Sequence, residues 1–297
     1  MKKPIVDLGE LRPTKKGERF DAPVFLAGFR RFLAYEKNFS SYNVEQTGFV
    51  ARRIIGVYNV HRPTVEDAYG IREDLEARGR APSTVRHYLR CLELMAEWQK
   101  ITVNGEPFRC VMPKAEYKVV RSLSAPESRA IGDSCLTVRD NALVHLALHG
   151  LRRGEIVRLL KGDVDLMRRL VYVRKTKNRK ERFAVLNRDA AAALEAWMKI
   201  RLDIPGVDSL FLTEHGESLT GQRLYRIVKK IARRAGLKDK TTVHVLRHSC
   251  ATLMARNGIS VTEITMQIGD SVTTTERFYI DAKLDDLKED IDKKFKY

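Results

Sequence analysis

The stretch from His244 to Tyr279 constrains this chain most, because it places arginine, histidine and tyrosine side chains at fixed intervals. It begins His244-Val-Leu-Arg247-His248, and Tyr279 lies nine residues after Asp270. An arginine offers a planar set of donors that matches phosphate oxygens. A histidine moves protons near neutral pH, and a tyrosine hydroxyl can form a covalent intermediate. Together these side chains favour chemistry on a phosphodiester.

The same stretch resembles the C-terminal half of the catalytic domain of tyrosine recombinases, the phage-type integrases. Their pattern is His-x-x-Arg-His, then Gly-His or Gly-Trp, then a tyrosine, and His244, Arg247, His248 and Tyr279 fit it. Asp270 departs from it, because it stands where the family usually has His or Trp. An ionised Asp can only accept hydrogen bonds and would repel a phosphate. The sequence leaves open whether Asp270 orients Arg247 or His244, or slows cleavage. His248 is interpreted as structural before catalytic.

The charge of the chain indicates the kind of partner. Its 297 residues carry a formal net charge of +17, which favours nucleic acid over a membrane surface. With 43% hydrophobic residues the composition is that of packed cores and not of general disorder. The length favours two domains.

Cysteine spacing and hydropathy indicate the compartment. The four cysteines show no metal-type spacing and are interpreted as reduced thiols. No apolar run approaches the ~20 residues needed to cross a bilayer. We therefore expect a cytoplasmic protein with no metal and no membrane partner. The resemblance to phage-type integrases implies a prokaryotic cell or its nucleoid.

Hydrophobic periodicity divides the chain into four parts. Residues 1–20 show no periodicity and are expected to form a flexible arm. Residues 21–104 contain apolar residues at helical spacing, which predicts a helical domain. Pro and Gly residues without a helical stripe indicate a linker at 105–122. Ser124 and Glu127 have the spacing of a capping box, so the second domain is predicted at 123–297, with an amphipathic packing helix at its C-terminal end.

A first arginine lies at a glycine-flanked break. The sequence there is Gly150-Leu-Arg152-Arg153-Gly-Glu155. An arginine at such a break can approach a phosphate closely, or it can neutralise the end of the preceding helix. The resemblance to the Gly-Leu-Arg-x-x-Glu element of the recombinases selects Arg152 as the first catalytic arginine. It gives Glu155 a structural role and leaves Arg153 as the fallback.

A basic hairpin is predicted next. Alternating β-formers indicate strands at 170–174 and 182–186, and six of the nine residues from 174 to 182 are basic. These side chains can be a solvated hairpin tip or can reach a DNA groove. The recombinase family carries its general-acid lysine on such a hairpin, and the Lys-x-x-Lys-x-Arg pattern selects Lys177, with Lys175 and Lys180 as alternatives.

Two further basic surfaces are predicted on helices. Residues 221–235 carry six cations and no acid beside an apolar stripe, which favours contact with phosphates over a solvated face. In the N-terminal domain the helix that begins at Pro82 has its own basic side, which can be an ordinary solvated surface or a second contact with DNA. The predicted DNA contacts are Arg86, Arg90, Lys175, Arg179, Lys180, Arg223, Arg226 and Lys230.

The resemblance as a whole implies a mainly α fold with a small antiparallel β-sheet. An N-terminal helical domain would clamp DNA, and an α+β catalytic domain of the tyrosine-recombinase type would cleave it. Tyr279 would attack the phosphate and form a 3′-phosphotyrosyl link, with Arg152 and Arg247 on the phosphate oxygens. Lys177 and His244 would move protons, and Asp270 would complete the site.

The implied activity is site-specific recombination of double-stranded DNA, without metal, ATP or another cofactor, by a tetramer assembled on specific sites. The C-terminal helix is a candidate contact between protomers, with packing on its own domain as the alternative. One alternative is an enzyme that nicks and religates DNA like a type IB topoisomerase. Another is a DNA-binding protein of the same fold with weakened catalysis.

Overall fold

The computed structural model describes residues 20–114, 121–174, 181–237, 241–278, 280, 282–283 and 294. The chain divides into two compact units, Met1–Lys118 and Val119–Tyr297, and the division falls within the predicted linker. The arm predicted at 1–20 lies outside the described residues except for Phe20. The packing helix predicted near the C-terminus also lies almost wholly outside them.

Helices form the first unit, and polar side chains fix where they begin. The side chains of Asp21, Ser40 and Thr64 each accept a hydrogen bond from the backbone of the following first turn, which satisfies a donor that a helix leaves free. The first helix continues as a π-helix over Phe32–Glu36. The helices are α1 (Ala22–Arg31), α2 (Ser41–Tyr58), α3 (Val65–Ala77) and α4 (Pro82–Trp98).

Aromatic residues fill the core of this unit. The ring of Trp98 lies 4.8 Å from that of Phe25 and 5.7 Å from that of Phe29, between centroids. All three side chains are almost fully buried. They come from α1 and α4, so the spacing of aromatics at three and four residues brings these two helices together.

The beginning of the predicted linker packs on the first unit. Strands β1 (Thr102–Val103) and β2 (Glu106–Pro107) form an antiparallel hairpin. Phe108 after it is 3% exposed and belongs to the same core. The backbone N–H of Cys110 donates to Glu93 on α4 at 3.0 Å. Phe108 is a single apolar residue without periodic neighbours, so the sequence pattern predicted a linker here. In the structure this part of the chain packs on the first unit.

The second unit is built from helices around one small sheet. Its capping box at Ser124 and Glu127 is present as predicted. A 3₁₀ turn follows at Lys161–Asp163, and residues 272–278 are helical. Its helices are α5 (Ala125–Asp133), α6 (Val138–Leu148), α7 (Arg153–Ile156), α8 (Arg188–Ile200), α9 (Gly221–Arg234), α10 (Val243–Arg256) and α11 (Val261–Ile268).

The sheet has the strand order β3–β4–β5 and is antiparallel. Both predicted strands are present, as β4 (Leu170–Val173) and β5 (Arg182–Val185), whereas β3 (Val164–Asp165) has only two residues and gives no periodic signal. Val173 pairs with Arg182, so the predicted basic tip connects the ends of these two strands. The described residues are thus mainly helical with small antiparallel sheets, which confirms the predicted fold class.

The four cysteines are free. Among the residues that the structure describes, no helix combines the length and apolar character needed to cross a bilayer.

Candidate active site

Helix α10 carries two of the predicted site residues at its beginning. Thr242 caps the helix, because its hydroxyl accepts from the N–H of Val245. His244 and Arg247 follow one turn apart, so they lie on the same side of α10. The side chain of Arg247 is only 4% exposed, whereas His244 keeps part of its surface in contact with solvent. A buried guanidinium needs acceptors, and loops from elsewhere in the unit supply them.

Two left-handed glycines supply one acceptor to each arginine. Gly150 precedes the predicted break, and its carbonyl accepts from Nη1 of Arg247. Gly269 ends α11, and its carbonyl accepts from Nη2 of Arg152 at 2.8 Å. Their φ angles are +84° and +64°. A Cβ on Gly150 would lie 2.8 Å from Cγ2 of Ile268, so both the backbone angle and the close approach require glycine.

Asp270 connects the two arginines. Its Oδ1 accepts from Nη2 of Arg152, and its Oδ2 accepts from Nη2 of Arg247 at 2.7 Å. A contact of Asp270 with Arg247 was one of the alternatives that the sequence left open, whereas its contact with Arg152 was not predicted. Burial would raise the pKa of Asp270, but the charge and hydrogen bond of Arg247, followed by those of Arg152, lower it below its usual value. Asp270 is therefore ionised at neutral pH.

A third arginine, Arg182, belongs to this group and was missed as a site residue. Its Nη1 and Nη2 donate to the two carboxylate oxygens of Glu155 at 3.1 and 2.9 Å. Glu155 also accepts from the backbone N–H of Arg152 at 2.8 Å and from its Nη1 at 2.7 Å. The only available signal was the final Arg of the Lys-x-x-Lys-x-Arg pattern. We call Arg152, Arg182, Arg247, Glu155 and Asp270 the arginine cluster.

Glu155 is the most deeply buried member of the arginine cluster. Its side chain is 1% exposed, and that of Arg182 is 8% exposed. Burial would raise the pKa of Glu155, but its bonds to Arg182 and then Arg152 lower it. Nε of Arg182 also donates to the carbonyl of Gln267 at 3.0 Å. The strand β5, the break before α7 and the end of α11 are therefore tied together by ion pairs. Three guanidinium groups and two carboxylates leave one net positive charge.

A cavity of about 400 Å³ opens beside the cluster. Arg152, Arg247, His244 and the fallback residue Arg153 line it, and α9 contributes Tyr225. The pKa of His244 is lowered, first by partial burial of its ring and then by the charge of Arg247, against the opposing effect of Asp270. His244 is therefore mostly neutral at pH 7 and can accept a proton. Tyr225 was missed, because an aromatic residue within the basic stripe of α9 gives no separate signal.

His248 lies in surroundings that suit the structural role predicted for it. It is 5% exposed, and its ring meets that of Phe278 edge-on, with 4.7 Å between centroids. The hydroxyl of Thr252 lies 3.3 Å from Nδ1. Since Phe278 immediately precedes Tyr279, His248 helps to fix the helical segment 272–278 against α10.

Several predicted residues lie outside the described ranges. Tyr279 and the hairpin residues Lys175, Lys177, Arg179 and Lys180 are among them. The catalytic and DNA-binding roles assigned to them stay predictions. The structure describes the residues on both sides, Phe278 before the tyrosine and β4 and β5 on either side of the hairpin tip.

The predicted DNA-binding residues on helices are at the surface. Arg226 and Lys230 on α9 are exposed, and Arg223 is half-buried, with Nη2 3.1 Å from Oε1 of Glu214. On α4, Arg86 donates to the carbonyl of Pro113 at 2.8 Å. Arg90 is paired with Glu93 at 2.6 Å. Both residues of α4 thus have partners within their own unit.

Within the described ranges, histidine, cysteine, aspartate and glutamate side chains form no group of three or more that could hold a metal ion.

Comparison with known proteins decides the family. The model of the phage integrase family matches residues 115–284, which is more than half of the chain. The chain belongs to the phage integrase family. This match covers the break before α7, the hairpin, α10 and the segment that ends at Tyr279, the same segments on which the resemblance was based.

Individual relatives agree with this assignment. The chain is 27% identical to tyrosine recombinase XerA of Saccharolobus solfataricus over 217 residues, which covers 73% of this chain and 69% of the relative. It is 25% identical to tyrosine recombinase XerD of Listeria innocua, over 84% and 91% of the two chains. A crystal structure of XerH site-specific recombinase bound to a palindromic difH substrate has the same fold, with a TM-score of 0.69, 19% identity and coverage of 91% and 85%.

These relatives confirm the predicted class of enzyme. This phage integrase family member is a site-specific tyrosine recombinase, and the topoisomerase-like alternative is not favoured.

Proposed function

We propose that this recombinase cleaves and rejoins double-stranded DNA at the arginine cluster through a 3′-phosphotyrosyl intermediate. The observation that carries the proposal is the pair Arg152 and Arg247, whose Nη2 atoms both donate to one carboxylate. Two guanidinium groups that converge on one anion can hold the two non-bridging oxygens of a phosphodiester. They would also stabilise the charge that develops there during the reaction.

The chemical steps follow from the side chains beside that pair. The hydroxyl oxygen of Tyr279 attacks phosphorus, and the bond from phosphorus to the 5′-oxygen breaks. His244, mostly neutral because its pKa is lowered, accepts the tyrosine proton. Lys177 donates a proton to the departing 5′-oxygen, which leaves as a hydroxyl. The phosphotyrosyl ester retains the energy of the broken bond, so a 5′-hydroxyl of another strand can reverse the steps without ATP or a metal ion.

The DNA would be held by basic side chains in both units. Arg223, Arg226 and Lys230 present charge along α9, beside the cavity to which Tyr225 of the same helix contributes. Lys175, Arg179 and Lys180 would extend this contact from the hairpin. Arg86 and Arg90 would contact the duplex from the first unit. A formal net charge of +17 supports this assignment.

We further propose that strand exchange takes place in the cytoplasm, in a tetramer assembled on two specific DNA sites. Exchange of two duplexes requires four cleavages, and each protomer has one predicted nucleophile, Tyr279. The segment after Lys283 is the candidate contact between protomers, because its apolar residues recur at helical spacing in the sequence.

Covalent trapping tests the proposal. The full chain is incubated in EDTA with nicked duplexes taken from the ends of its own genetic element, beside the Tyr279→Phe variant. We expect a denaturation-resistant adduct on the 3′-phosphate of the cleaved strand that is absent with the variant. Tight binding without an adduct on any such duplex would favour the DNA-binding protein with weakened catalysis. An adduct that persists in the variant would assign the nucleophile to another residue.

A further inference from the structure

Asp270 contacts both arginines that the proposed mechanism assigns to the phosphate. One anionic group with two oxygens joins two guanidinium groups, as a phosphate with two non-bridging oxygens would. We propose that Asp270 is an internal competitor of the phosphate, whose carboxylate holds the anion site between Arg152 and Arg247 until a phosphodiester displaces it. This inference rests on the proposed function, because it takes the two arginines as the phosphate clamp.

The hydrogen-bond donors of the clamp show why Asp270 competes. Each guanidinium nitrogen Nη carries two hydrogens. Both hydrogens of Nη2 of Arg152 are used, one by Gly269 and one by Asp270, and Nη1 donates to Glu155. Nη1 of Arg247 donates to Gly150, and Nη2 donates to Asp270. Asp270 therefore accepts the hydrogen bonds that the two arginines direct towards one common acceptor.

Electrostatics prevents the carboxylate and the phosphate from sharing this place. Asp270 is ionised at neutral pH because its two arginines lower its pKa. A phosphodiester is also an anion, and two like charges a few ångströms apart in a half-buried site repel strongly. The residues that the family usually has at this position, His or Trp, can donate a hydrogen bond to the phosphate. Asp270 can only accept one.

The position of Asp270 allows its carboxylate to leave. Its side chain is 21% exposed, whereas that of Glu155 is 1% exposed, so rotation takes the Asp270 carboxylate into solvent. The backbone on both sides is fixed, because Gly269 donates to Thr265 at 2.8 Å and Thr275 donates to Ser271 at 2.9 Å. Displacement therefore needs a new side-chain rotamer and no change of fold.

Displacement of Asp270 would make the site selective. The phosphate binds only the state in which Asp270 has left, so its apparent affinity is reduced by the fraction of the protein in that state. A free phosphate makes few other contacts that could compensate for this reduction. A phosphodiester in a bound duplex is also held by the basic surfaces, which supply the additional binding energy. Asp270 is thus a positioning residue that favours phosphates held in a correctly bound duplex.

Binding of inorganic phosphate to the full chain measures the competition directly. We compare the wild type with Asp270→Asn, which removes the charge, and Asp270→Glu, which keeps it, by isothermal titration calorimetry. We expect Asp270→Asn to bind phosphate ~10-fold or more tightly than the wild type, because a charge adjacent to the anion is removed. Asp270→Glu should bind as weakly as the wild type.

A matched control separates this local effect from the change in net charge. Glu195 on α8 pairs with Lys199 at 2.7 Å and is 52% exposed, so Glu195→Gln changes the net charge of the same unit equally. Its phosphate affinity should equal that of the wild type. If Asp270→Asn binds phosphate no more tightly than Glu195→Gln, the competition does not exist. If Asp270→Glu gains as much affinity as Asp270→Asn, side-chain charge is not the cause, and the proposal is wrong.

If Asp270→Asn folds poorly, its melting temperature at increasing phosphate concentrations still tests the proposal. A ligand that binds the folded state raises that temperature. Recovery by phosphate would support the competition, because the anion replaces the lost carboxylate. Failure to recover at any phosphate concentration would show a purely structural role and overturn the proposal.

The trapping assay keeps the two proposals apart. If the wild type forms the Tyr279 adduct but Asp270→Asn gains no phosphate affinity, the proposed function stands and the competition fails. If phosphate binding tightens as expected but neither protein forms an adduct, the competition stands and the catalytic proposal fails. Asp270→Asn should also form the adduct on shorter nicked duplexes than the wild type requires. Equal length requirements would contradict the selectivity assigned to Asp270.

Discussion

The arginine cluster and helix α9 use the same kinds of cation in opposite ways. In the cluster, Arg182 and Arg247 are 8% and 4% exposed, and the carboxylates of Glu155 and Asp270 contact them directly. On α9, six cations share a helix that has no acidic residue, and its apolar face is buried against the unit. In the cluster, ion pairs fix the direction in which each guanidinium group points. The cations of α9 instead add positive charge to the surface of the unit.

Because of this difference, the two regions should respond differently to substitution and to salt. A buried guanidinium keeps its orientation only while its carboxylate and carbonyl acceptors remain, so removal of one partner leaves an uncompensated charge. An exposed cation contacts water and salt, so its loss is small and additive. The cluster should therefore be sensitive to single substitutions and insensitive to salt, and α9 should show the reverse.

Loss of the deepest carboxylate should have the largest effect. Glu155→Gln leaves Arg182 buried without a charged partner, and we expect the free energy of unfolding to fall by ~3–5 kcal/mol. Urea unfolding of the full chain, followed by circular dichroism, measures it. Glu195→Gln, at the exposed pair on α8, should change stability by at most ~0.5 kcal/mol. Equal losses for the two variants would show that the cluster is no more cooperative than a surface pair.

Replacement of Gly150 should have the next largest effect. Its φ of +84° and the 2.8 Å approach of a built Cβ to Ile268 both oppose a side chain. We expect Gly150→Ala to cost ~1–3 kcal/mol and to weaken trapping, because the Gly150 carbonyl orients Arg247. Gly162 has nothing within 4 Å of a built Cβ, so Gly162→Ala is the control. A Gly150→Ala variant as stable as this control would mean that the break tolerates other backbone angles.

The sequence predicted the two regions unequally. Helix α9 could be predicted almost completely, since its amphipathic pattern determines both its bounds and its exposed cations. The capping side chain of Ser124 likewise marked the beginning of a helix through local hydrogen bonds. Local patterns are enough wherever the interacting groups lie within one turn of a helix.

The arginine cluster could be predicted only in part. Spacing and family resemblance identified Arg152, Arg247 and Asp270, but the contact of Asp270 with Arg152 joins residues 118 positions apart. The Arg182–Glu155 pair joins β5 to α7. Periodicity carries no information on which distant segments meet. Only the structure therefore shows which partners a buried charged side chain contacts. Phe108 was missed for the same reason, because a single apolar anchor has no period.

Acid should weaken the second unit in two stages. The pKa values of His145, His149 and His244 are all lowered, with burial as the largest cause. Their folded pKa values lie below 6.5, so the unfolded chain binds more protons there, and stability falls as pH drops below 6.5. Glu155 and Asp270 have lowered pKa values too, so their contribution is complete above about pH 4.5 and is lost in stronger acid.

The melting temperature from pH 8 to pH 3 measures both stages. We expect a first decline below pH 6.5 and a steeper one below pH 4.5. His149→Gln should reduce the first decline and leave the second unchanged. A melting temperature that stays constant between pH 7.5 and pH 5.5 would show that these histidines are not protected from protons in the folded state.

Single substitutions on α9 should have the smallest effects and the strongest dependence on salt. Arg226 and Lys230 are exposed, so Arg226→Ala and Lys230→Ala should leave stability unchanged. If each side chain neutralises one phosphate, each variant should lower the slope of log affinity against log salt by about 1, equally for specific and unrelated duplexes. Lys199→Ala removes the same charge from α8, where Glu195 already pairs with it, and should leave the slope unchanged. Fluorescence anisotropy at several salt concentrations measures these slopes. A loss confined to one DNA sequence would mean that α9 reads bases, and its cations would then resemble those of the cluster in having fixed directions.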